Sequence, residues 1–176
     1  MIKHRTQLNQ LMPKRKLVGA EIGVASGLNA NEMLMNWDIK TLYLVDNWEC
    51  VPTQKGDASS PQSWHDFNLE STKRLMANHK GKSILLKGES KDMADKIKDE
   101  SLDFIYIDGD HSYEGVMSDL KSWVRKVKKG GVVSGHDFLN IAYGVKEAVE
   151  QFANGTEVIT IPENKDEDAS FYFIKE

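Results

Sequence analysis

Two short stretches of the sequence concentrate side chains that can bind metal ions or move protons. They are residues 107–111 (IDGDH) and residues 134–137 (SGHD). Each follows an apolar run that is typical of a strand buried on both faces of a parallel sheet. The carboxyl ends of parallel strands meet at one edge of the sheet, where α/β proteins bind their ligands. We therefore expect these two stretches to lie side by side.

In that arrangement Asp108, His136 and Asp137 are the predicted ligands of a divalent cation. His111, three residues after Asp108, points into the same space, and an imidazole with an ordinary pKa of ~6.5 suits a general base. Carboxylate oxygens suit Mg²⁺, whereas the nitrogen of His136 suits Mn²⁺, Fe²⁺ or Zn²⁺ better. Either the metal is not Mg²⁺, or His136 stands beside the ligands without binding. A purely structural role for these side chains is the alternative.

A glycine-containing turn follows the first predicted strand, in residues 19–29 (GAEIGVASGLN). Gly23 and Gly27 permit a tight turn and a close approach of ligand to backbone. Their spacing differs from the G-x-G-x-x-G of dinucleotide-binding folds, and the Lys-Ser/Thr ending of a P-loop is missing. The turn therefore disfavours a pyrophosphate or triphosphate ligand. Glycines that serve only the turn are the alternative.

Asp46 ends the second predicted strand, where a carboxylate can accept hydrogen bonds from both ribose hydroxyls of an adenosine. Glu21 adds a second carboxylate at the tip of the first strand. Two carboxylates fit a sulfonium and an ammonium group better than they fit a pyrophosphate. The sequence therefore favours S-adenosylmethionine over NAD as the ligand.

Strands and helices alternate along the chain, which predicts a single α/β domain over residues 1–176 with its core from about residue 17. The predicted strands are residues 17–23, 41–45, 83–87, 102–107, 131–134, 156–161 and 170–174. The predicted helices are residues 29–37, 64–79, 113–126 with Ser112 as the cap, and 141–153. Only residues 162–169 separate the last two strands, so these should pair antiparallel. The polar residues 52–63 form either a mobile lid or a plain surface loop.

The net charge, the apolar runs and the cysteine content limit the kinds of partner and location that we expect for the chain. A net charge of −4 argues against a nucleic-acid backbone as the main partner. No apolar run is long enough to predict a membrane-spanning helix. The single cysteine, Cys50, cannot form an internal disulfide, which predicts a cytoplasmic setting.

The motifs IDGDHSYEGV…DL and GGV…GHD resemble those of a small bacterial and phage group of class I S-adenosylmethionine-dependent methyltransferases. The resemblance extends from Val18 to about Ile174. It implies a Rossmann-like fold with a seven-stranded, mostly parallel sheet of order 3-2-1-4-5-7-6. Strand 7 is antiparallel in this fold, and helices cover both faces.

The resemblance also implies roles for individual residues. The cofactor-binding positions that it implies are Glu21, Gly23, Ala25, Ser26, Gly27, Asn29, Asp46, Asn47, Glu89, Ser90 and Asp108. Among these, Glu21 and the turn line the methionine end, Asp46 holds the ribose, and Ser90 lies near the adenine. In related metal-dependent O-methyltransferases, the positions of Asp108 and His136-Asp137 bind Mg²⁺, and the position of His111 is the general base.

The implied activity is methyl transfer to a small-molecule hydroxyl, for example on a sugar. No N-terminal helical cap or inserted lid domain is visible in the sequence, so the acceptor site is open or is completed by a second copy of the chain. Three alternatives remain. The domain could bind S-adenosylmethionine without catalysis, or it could be a metal-dependent hydrolase or an NAD oxidoreductase. The hydrolase needs an Asp-x-His near the first strand, where this chain has Glu21-Ile22-Gly23.

Overall fold

The computed structural model describes residues 2–53, 56–162 and 169–176, and in this part of the chain one seven-stranded sheet forms the centre of the fold. Its order is β3-β2-β1-β4-β5-β7-β6, as predicted. The strands are β1 (Leu17–Ile22), β2 (Ile39–Asp46), β3 (Ser83–Lys87), β4 (Leu102–Ile107), β5 (Val127–Gly135), β6 (Ile159–Ile161) and β7 (Ser170–Ile174). The neighbours among β1 to β5 pair in parallel, and β7 runs antiparallel to both β5 and β6. This confirms the predicted Rossmann-like fold and its terminal hairpin.

Helices cover both faces of this sheet, as predicted. They are α1 (Leu28–Asn36), α2 (Gln62–Met76), α3 (Ser90–Ala94), α4 (Tyr113–Trp123) and α5 (Val145–Ala153). On one face, Ile105 packs in a core with Leu120 of α4 and Val149 of α5. On the other face, Phe104 packs with Met33 of α1. Apolar residues on both sides of each central strand explain why these strands are continuous apolar runs in the sequence.

The N-terminus carries an element that the sequence analysis did not predict, a 3-10 helix over Arg5–Leu11. Leu8 of this helix is fully buried, and the indole nitrogen of Trp37 donates a hydrogen bond of 2.7 Å to the carbonyl of Thr6. The segment therefore covers one face of the sheet beside α1. A 3-10 helix lacks the 3.6-residue apolar repeat, so the sequence gives no periodic signal for it.

Several predicted boundaries were wrong. The helix that starts at Tyr113 ends at Trp123 and is followed by a 3-10 turn to Lys126, and β5 begins at Val127 instead of residue 131. The glycines 130–131, interpreted as a helix stop, lie inside β5. The predicted helix 141–153 begins at Val145, because the side chain of Ile141 is 100% exposed and has no core to pack against.

Two short elements, β6 and α3, also differ from the prediction. β6 begins at Ile159 instead of residue 156, and α3 was not predicted at all because five residues are too few for a periodic pattern. Residues 54–55 of the proposed lid and residues 163–168 of the terminal connection lie outside the described residues. Within the described part of the chain, no helix is long and apolar enough to span a membrane.

A buried carboxylate ties the amino ends of β1, β4 and β5 together. Asp103 of β4 is almost fully buried and accepts hydrogen bonds from the backbone N–H of Val18 (2.8 Å) and the ammonium of Lys128 (2.8 Å). The guanidinium of Arg15 binds both of its oxygens. Burial by itself raises the pKa of Asp103, but these hydrogen bonds outweigh it and hold the pKa below its ordinary value.

We expect Asp103→Asn to lower the free energy of unfolding at neutral pH by about 2 kcal/mol, because the charge that binds two cations is lost. A carboxylate with a lowered pKa stabilises the fold above its unfolded pKa, and this contribution disappears as the pH falls through the folded pKa. Denaturant unfolding at several pH values measures the difference.

The matched control is Asp95→Asn, at an exposed carboxylate that pairs with Arg125 and whose loss should leave stability nearly unchanged. At acid pH, Asp103 is protonated in the wild type as well. If the free energies of unfolding of wild type and Asp103→Asn still differ by the full amount there, the stabilising role of the ionised Asp103 is contradicted.

Candidate functional site

The carboxyl ends of β1, β2, β4 and β5 are joined to one another by backbone hydrogen bonds. The N–H of Gly23 donates to Val45 (2.9 Å), and the N–H of Asp108 donates to Ile22 (2.7 Å). The N–H of His136 donates to Ile107 (3.1 Å). The segments that follow these strands therefore form one continuous edge, as the parallel topology predicts.

Asp108, His111 and Asp137 form a cluster at this edge. Nε2 of His111 lies 3.4 Å from an oxygen of Asp108 and 3.2 Å from an oxygen of Asp137. One ligand atom from each residue lies within 4.8 Å of the others, which is close enough for all three to bind one cation. The two loops that the sequence analysis expected to lie side by side do so.

His136 lies at the border of this cluster. Its Nδ1 is 3.2 Å from an oxygen of Asp137, and it is not part of the three-residue group that can hold a metal ion among the described residues. The predicted ligand set contains His136, whereas the three-residue group that could hold a metal ion contains His111 in its place. The observed geometry therefore favours the expectation that His136 stands beside the ligands, and it gives His111 two candidate roles, metal ligand and base.

The pKa of His111 reflects its two acidic neighbours. Burial lowers the pKa of this imidazole, but the hydrogen bond to Asp108 and the charges of Asp108 and Asp137 raise it above its ordinary value. The pKa of Asp137 is lowered, since its hydrogen bond to His136 and the charge of His111 outweigh the effect of burial. Without a bound cation, the two carboxylates therefore favour the protonated, positively charged form of His111.

The segment after β5 fixes the position of His111, a contact that the sequence analysis did not predict. The ring of Tyr143 stacks on the imidazole with a centroid distance of 4.6 Å and an interplanar angle of 17°. The N–H of Gly144 donates to the carbonyl of His111 (2.9 Å). A Cβ at Gly144 would lie 2.3 Å from the backbone nitrogen of Tyr113, so only glycine fits there.

The glycine turn packs against protein backbone. A Cβ at Gly23, where φ is +84°, would lie 2.1 Å from the carbonyl oxygen of Asp108. A Cβ at Gly27 would lie 3.0 Å from the hydroxyl of Thr72 in α2. The loop after β4 thus occupies the space of a side chain at Gly23, and close approach of a ligand to this turn stays a prediction. Ala25 and Ser26 lie between these two contacts, and Ala25 is exposed with a φ of +45°.

Asp46 holds the same turn from the end of β2. One of its oxygens accepts hydrogen bonds from the N–H groups of Val24 and Ala25, both of 2.9 Å. The other accepts from the N–H of Trp48 (2.8 Å). A carboxylate can accept about four hydrogen bonds, so capacity for a further donor remains. The neighbouring Asn47 accepts from the N–H of Glu49 (3.1 Å).

Glu21 lies beneath the turn and is only 1% exposed. One oxygen accepts a hydrogen bond from the amide of Asn29 (2.9 Å), while the other, Oε2, has no partner among the described residues. Burial, followed by the charges of Asp108 and Asp46, raises the pKa of Glu21 to about 8. An unpartnered buried carboxylate oxygen is costly by itself, and a positively charged ligand group would satisfy it.

The two predicted positions after β3 differ in their surroundings. Glu89 is exposed at the start of α3. The hydroxyl of Ser90 is half-buried and is bonded to two residues of α4, Asp119 (2.5 Å) and Trp123 (2.8 Å). Both lie at the edge that carries the remaining predicted cofactor residues.

Comparison with known proteins places the chain in a family. Residues 20–138 match the family model described as "Methyltransferase domain". The chain is also 27% identical over 128 residues to the uncharacterized protein R132 of Acanthamoeba polyphaga mimivirus, a match that covers 71% of this chain. The chain spans about half of that relative, 53% of its length.

Solved methyltransferase structures share the fold. The O-methyltransferase NovP is 24% identical, with 97% of this chain and 75% of that chain covered and a TM-score of 0.65. Precorrin-6y C5,15-methyltransferase from Geobacter metallireducens is 16% identical, with 97% and 86% covered and a TM-score of 0.68. An rRNA methylase from Streptococcus thermophilus is 11% identical, with 96% and 91% covered and a TM-score of 0.65.

The family match covers most of the sheet and all of the strand ends described above. Together with the sheet order, it identifies the chain as a member of the methyltransferase domain family.

Proposed function

We propose that this chain transfers the methyl group of S-adenosylmethionine to a hydroxyl of a small molecule, for example a sugar, with a divalent cation at Asp108 and Asp137 and with His111 as either the third ligand or the general base. One observation carries the proposal. The unpartnered, buried oxygen of Glu21 and the Asp/His/Asp cluster lie at the same edge of the sheet. A pocket for a cationic cofactor beside a pair of acids and an imidazole suits methyl transfer to an oxygen.

The chain's own residues account for cofactor binding in this proposal. Glu21, oriented by Asn29, pairs with the ammonium group of the methionine moiety. Asp46 has an acceptor position left for a ribose hydroxyl, and Ser90 lies toward the adenine. The cofactor supplies an electrophilic methyl group, and methyl transfer makes a C–O bond while the C–S bond breaks.

His111 is placed to take the proton of the acceptor hydroxyl whenever its Nε2 does not hold the cation. A divalent cation bound here would lower the pKa of that hydroxyl, and a nitrogen with two oxygens fits Mn²⁺ better than Mg²⁺. Both carboxylates contact Nε2 of His111. That nitrogen can hold a cation or accept a proton, but it cannot do both at once.

A small organic acceptor is supported by the surface next to this cluster. The segment after β5 exposes Leu139 (37%), Ile141 (100%) and Tyr143 (42%), and Tyr143 stacks on His111. Exposed apolar side chains beside a polar cluster are typical of sites for small molecules. The net charge of −4 also favours such an acceptor over RNA. Completion of the acceptor site by a second copy of the chain stays a prediction.

Cofactor binding should release a proton at pH 7. Glu21, with a pKa of about 8, is mostly protonated in the free protein, whereas pairing with an ammonium group requires the carboxylate. We therefore expect the affinity to rise with pH up to about 8, with close to one proton released per cofactor at pH 7. Calorimetry of S-adenosylmethionine binding in buffers of different ionisation enthalpy measures this number.

Glu21→Gln should bind S-adenosylmethionine more weakly than wild type, and binding should release no proton from position 21. Equal proton release by wild type and Glu21→Gln would contradict the assignment of Glu21 to the ammonium group.

Asp46→Ala should weaken S-adenosylmethionine binding at least about tenfold, because both a ribose acceptor and the support of the turn are lost. Asp38→Ala is the matched control, since Asp38 is exposed and precedes β2 at the opposite edge of the sheet. Calorimetric titration of both variants compares the two. An affinity of Asp46→Ala equal to that of the control would refute this part of the pocket.

His111→Ala should abolish methyl transfer and leave cofactor affinity unchanged, because His111 belongs to the acceptor side. Methyl transfer to a panel of sugars and phenols, with Mn²⁺ or Mg²⁺ present, measures the activity, and Mn²⁺ binding is followed by electron paramagnetic resonance. His136→Ala is the neighbouring control. Loss of Mn²⁺ binding in His111→Ala but not in His136→Ala assigns His111 as a ligand, whereas retained Mn²⁺ binding with lost activity assigns it as the base.

A further inference from the structure

The imidazole of His111 is held in one plane by a contact with the segment after β5. Its ring stacks on the ring of Tyr143 with a centroid distance of 4.6 Å and an interplanar angle of 17°. The terminal torsion of a histidine side chain has broad preferences, so an unsupported imidazole turns easily about it. Such a turn would drive the edge of the imidazole into the ring of Tyr143. The stack therefore confines the imidazole to a single plane.

Within that plane two orientations of the imidazole are left, and they differ by a half turn. The observed orientation directs Nε2 toward the carboxylates, at 3.4 Å from Asp108 and 3.2 Å from Asp137. The other orientation would put the C–H group at Cε1 in place of Nε2. A C–H group neither binds a cation nor accepts a proton, so only the observed orientation is useful. Once the plane is fixed, the two carboxylates select it by attracting the nitrogen.

The turn that carries Tyr143 is tied to the second carboxylate residue of the cluster. The N–H of Asn140 donates to the carbonyl of Asp137 (3.2 Å), and the N–H of Tyr143 donates to the carbonyl of Asn140 (3.1 Å). The side-chain oxygen of Asn140 accepts the N–H of Ala142, also at 3.1 Å. The ring that stacks on His111 and the backbone of Asp137 thus belong to one hydrogen-bonded turn.

Both ends of this segment are anchored. At its start, Phe138 is buried, packs on Phe171 with a centroid distance of 5.4 Å, and donates its N–H to the carbonyl of Ala169 (2.9 Å). At its end, the N–H of Gly144 donates to the carbonyl of His111 (2.9 Å). The ring of Tyr143 therefore cannot leave the imidazole unless contacts at one of these ends are broken.

From these contacts we infer that Tyr143 is a positioning residue for His111. Its ring holds the imidazole in the plane from which Nε2 faces Asp108 and Asp137, so the cluster has its geometry before a cation or an acceptor arrives. This inference deepens the proposed function and rests on it. Ordering a side chain during binding consumes part of the interaction energy, and a residue that orders it beforehand avoids that loss.

The first measurement needs neither metal nor cofactor. In protein labelled with ¹³C at histidine, relaxation of the Cε1–H bond reports the picosecond–nanosecond motion of the imidazole. We expect a rigid imidazole at His111 in wild type and in Tyr143→Phe, which keeps the stacking ring. In Tyr143→Ala the imidazole should become mobile. The signal is assigned by its absence from His111→Ala.

Two further variants separate stacking from a general effect on the segment. Ile141→Ala is the matched control, because this side chain belongs to the same segment and is 100% exposed, so the imidazole should stay rigid. Gly144→Ala keeps the ring of Tyr143 but displaces it, since the new Cβ would lie 2.3 Å from the backbone nitrogen of Tyr113. The imidazole should be mobile in Gly144→Ala as it is in Tyr143→Ala.

The second measurement applies the assays of His111→Ala, Mn²⁺ binding and methyl transfer, to the Tyr143 variants. Whichever property is lost in His111→Ala should fall about tenfold in Tyr143→Ala, a typical effect of removing a group that orients a metal ligand or a base. Tyr143→Phe should keep that property. A general loss of structure would also weaken S-adenosylmethionine binding, whereas we expect Tyr143→Ala to bind the cofactor as wild type does.

The outcomes separate this inference from the proposed function. If wild type neither binds Mn²⁺ nor transfers a methyl group, the proposed function is wrong, and an imidazole that is rigid in wild type but mobile in Tyr143→Ala still supports the ordering role of Tyr143. If the imidazole is equally rigid in both proteins, or if Tyr143→Ala keeps full Mn²⁺ binding and activity, the proposed function stands and the inference about Tyr143 is overturned.

Discussion

The contact between Gly23 and the backbone of Asp108 is the constraint on which the site depends. No side chain fits at position 23, since a Cβ would lie 2.1 Å from the carbonyl oxygen of Asp108. This contact presses the turn after β1 against the loop after β4. It thereby brings the buried carboxylate of Glu21 close enough for the charge of Asp108 to act on it. The proposed cofactor side and the proposed acceptor side of the site share this one point of backbone packing.

The pKa values of the buried carboxylates differ in direction because the groups around them differ. Asp103 is buried among two cations and a backbone N–H, and its pKa is lowered. Glu21 and Asp119 are buried and accept hydrogen bonds from the neutral donors Asn29 and Ser90, and their pKa values are raised. The first carboxylate stabilises the amino end of the sheet. The other two lie near the carboxyl edge of the sheet, where their burial carries an electrostatic cost.

The sheet and the neighbourhood of the site were predictable because they follow from local patterns. Continuous apolar runs such as β4 predict buried parallel strands, and parallel strands bring the segments after Ile22 and Ile107 to one edge. Which nitrogen faces which carboxylate was not predictable. His111 and His136 both follow strands, and only the packing of Tyr143 and Gly144 decides that His111 lies between Asp108 and Asp137. The 3-10 helix at the N-terminus and the course of β5 through Gly130 likewise depend on tertiary contacts.

The hydrogen bonds of Asp46 have a consequence for how a ligand is received. This carboxylate accepts the N–H groups of Val24, Ala25 and Trp48 in the free protein, so the turn already has its shape before anything binds. Ordering a loop on binding consumes part of the interaction energy, and a rigid loop avoids that loss. Recognition at this end of the site is therefore closer to lock-and-key than to induced fit. The segment after β5 belongs to the other part of the site, where Tyr143 stacks on His111.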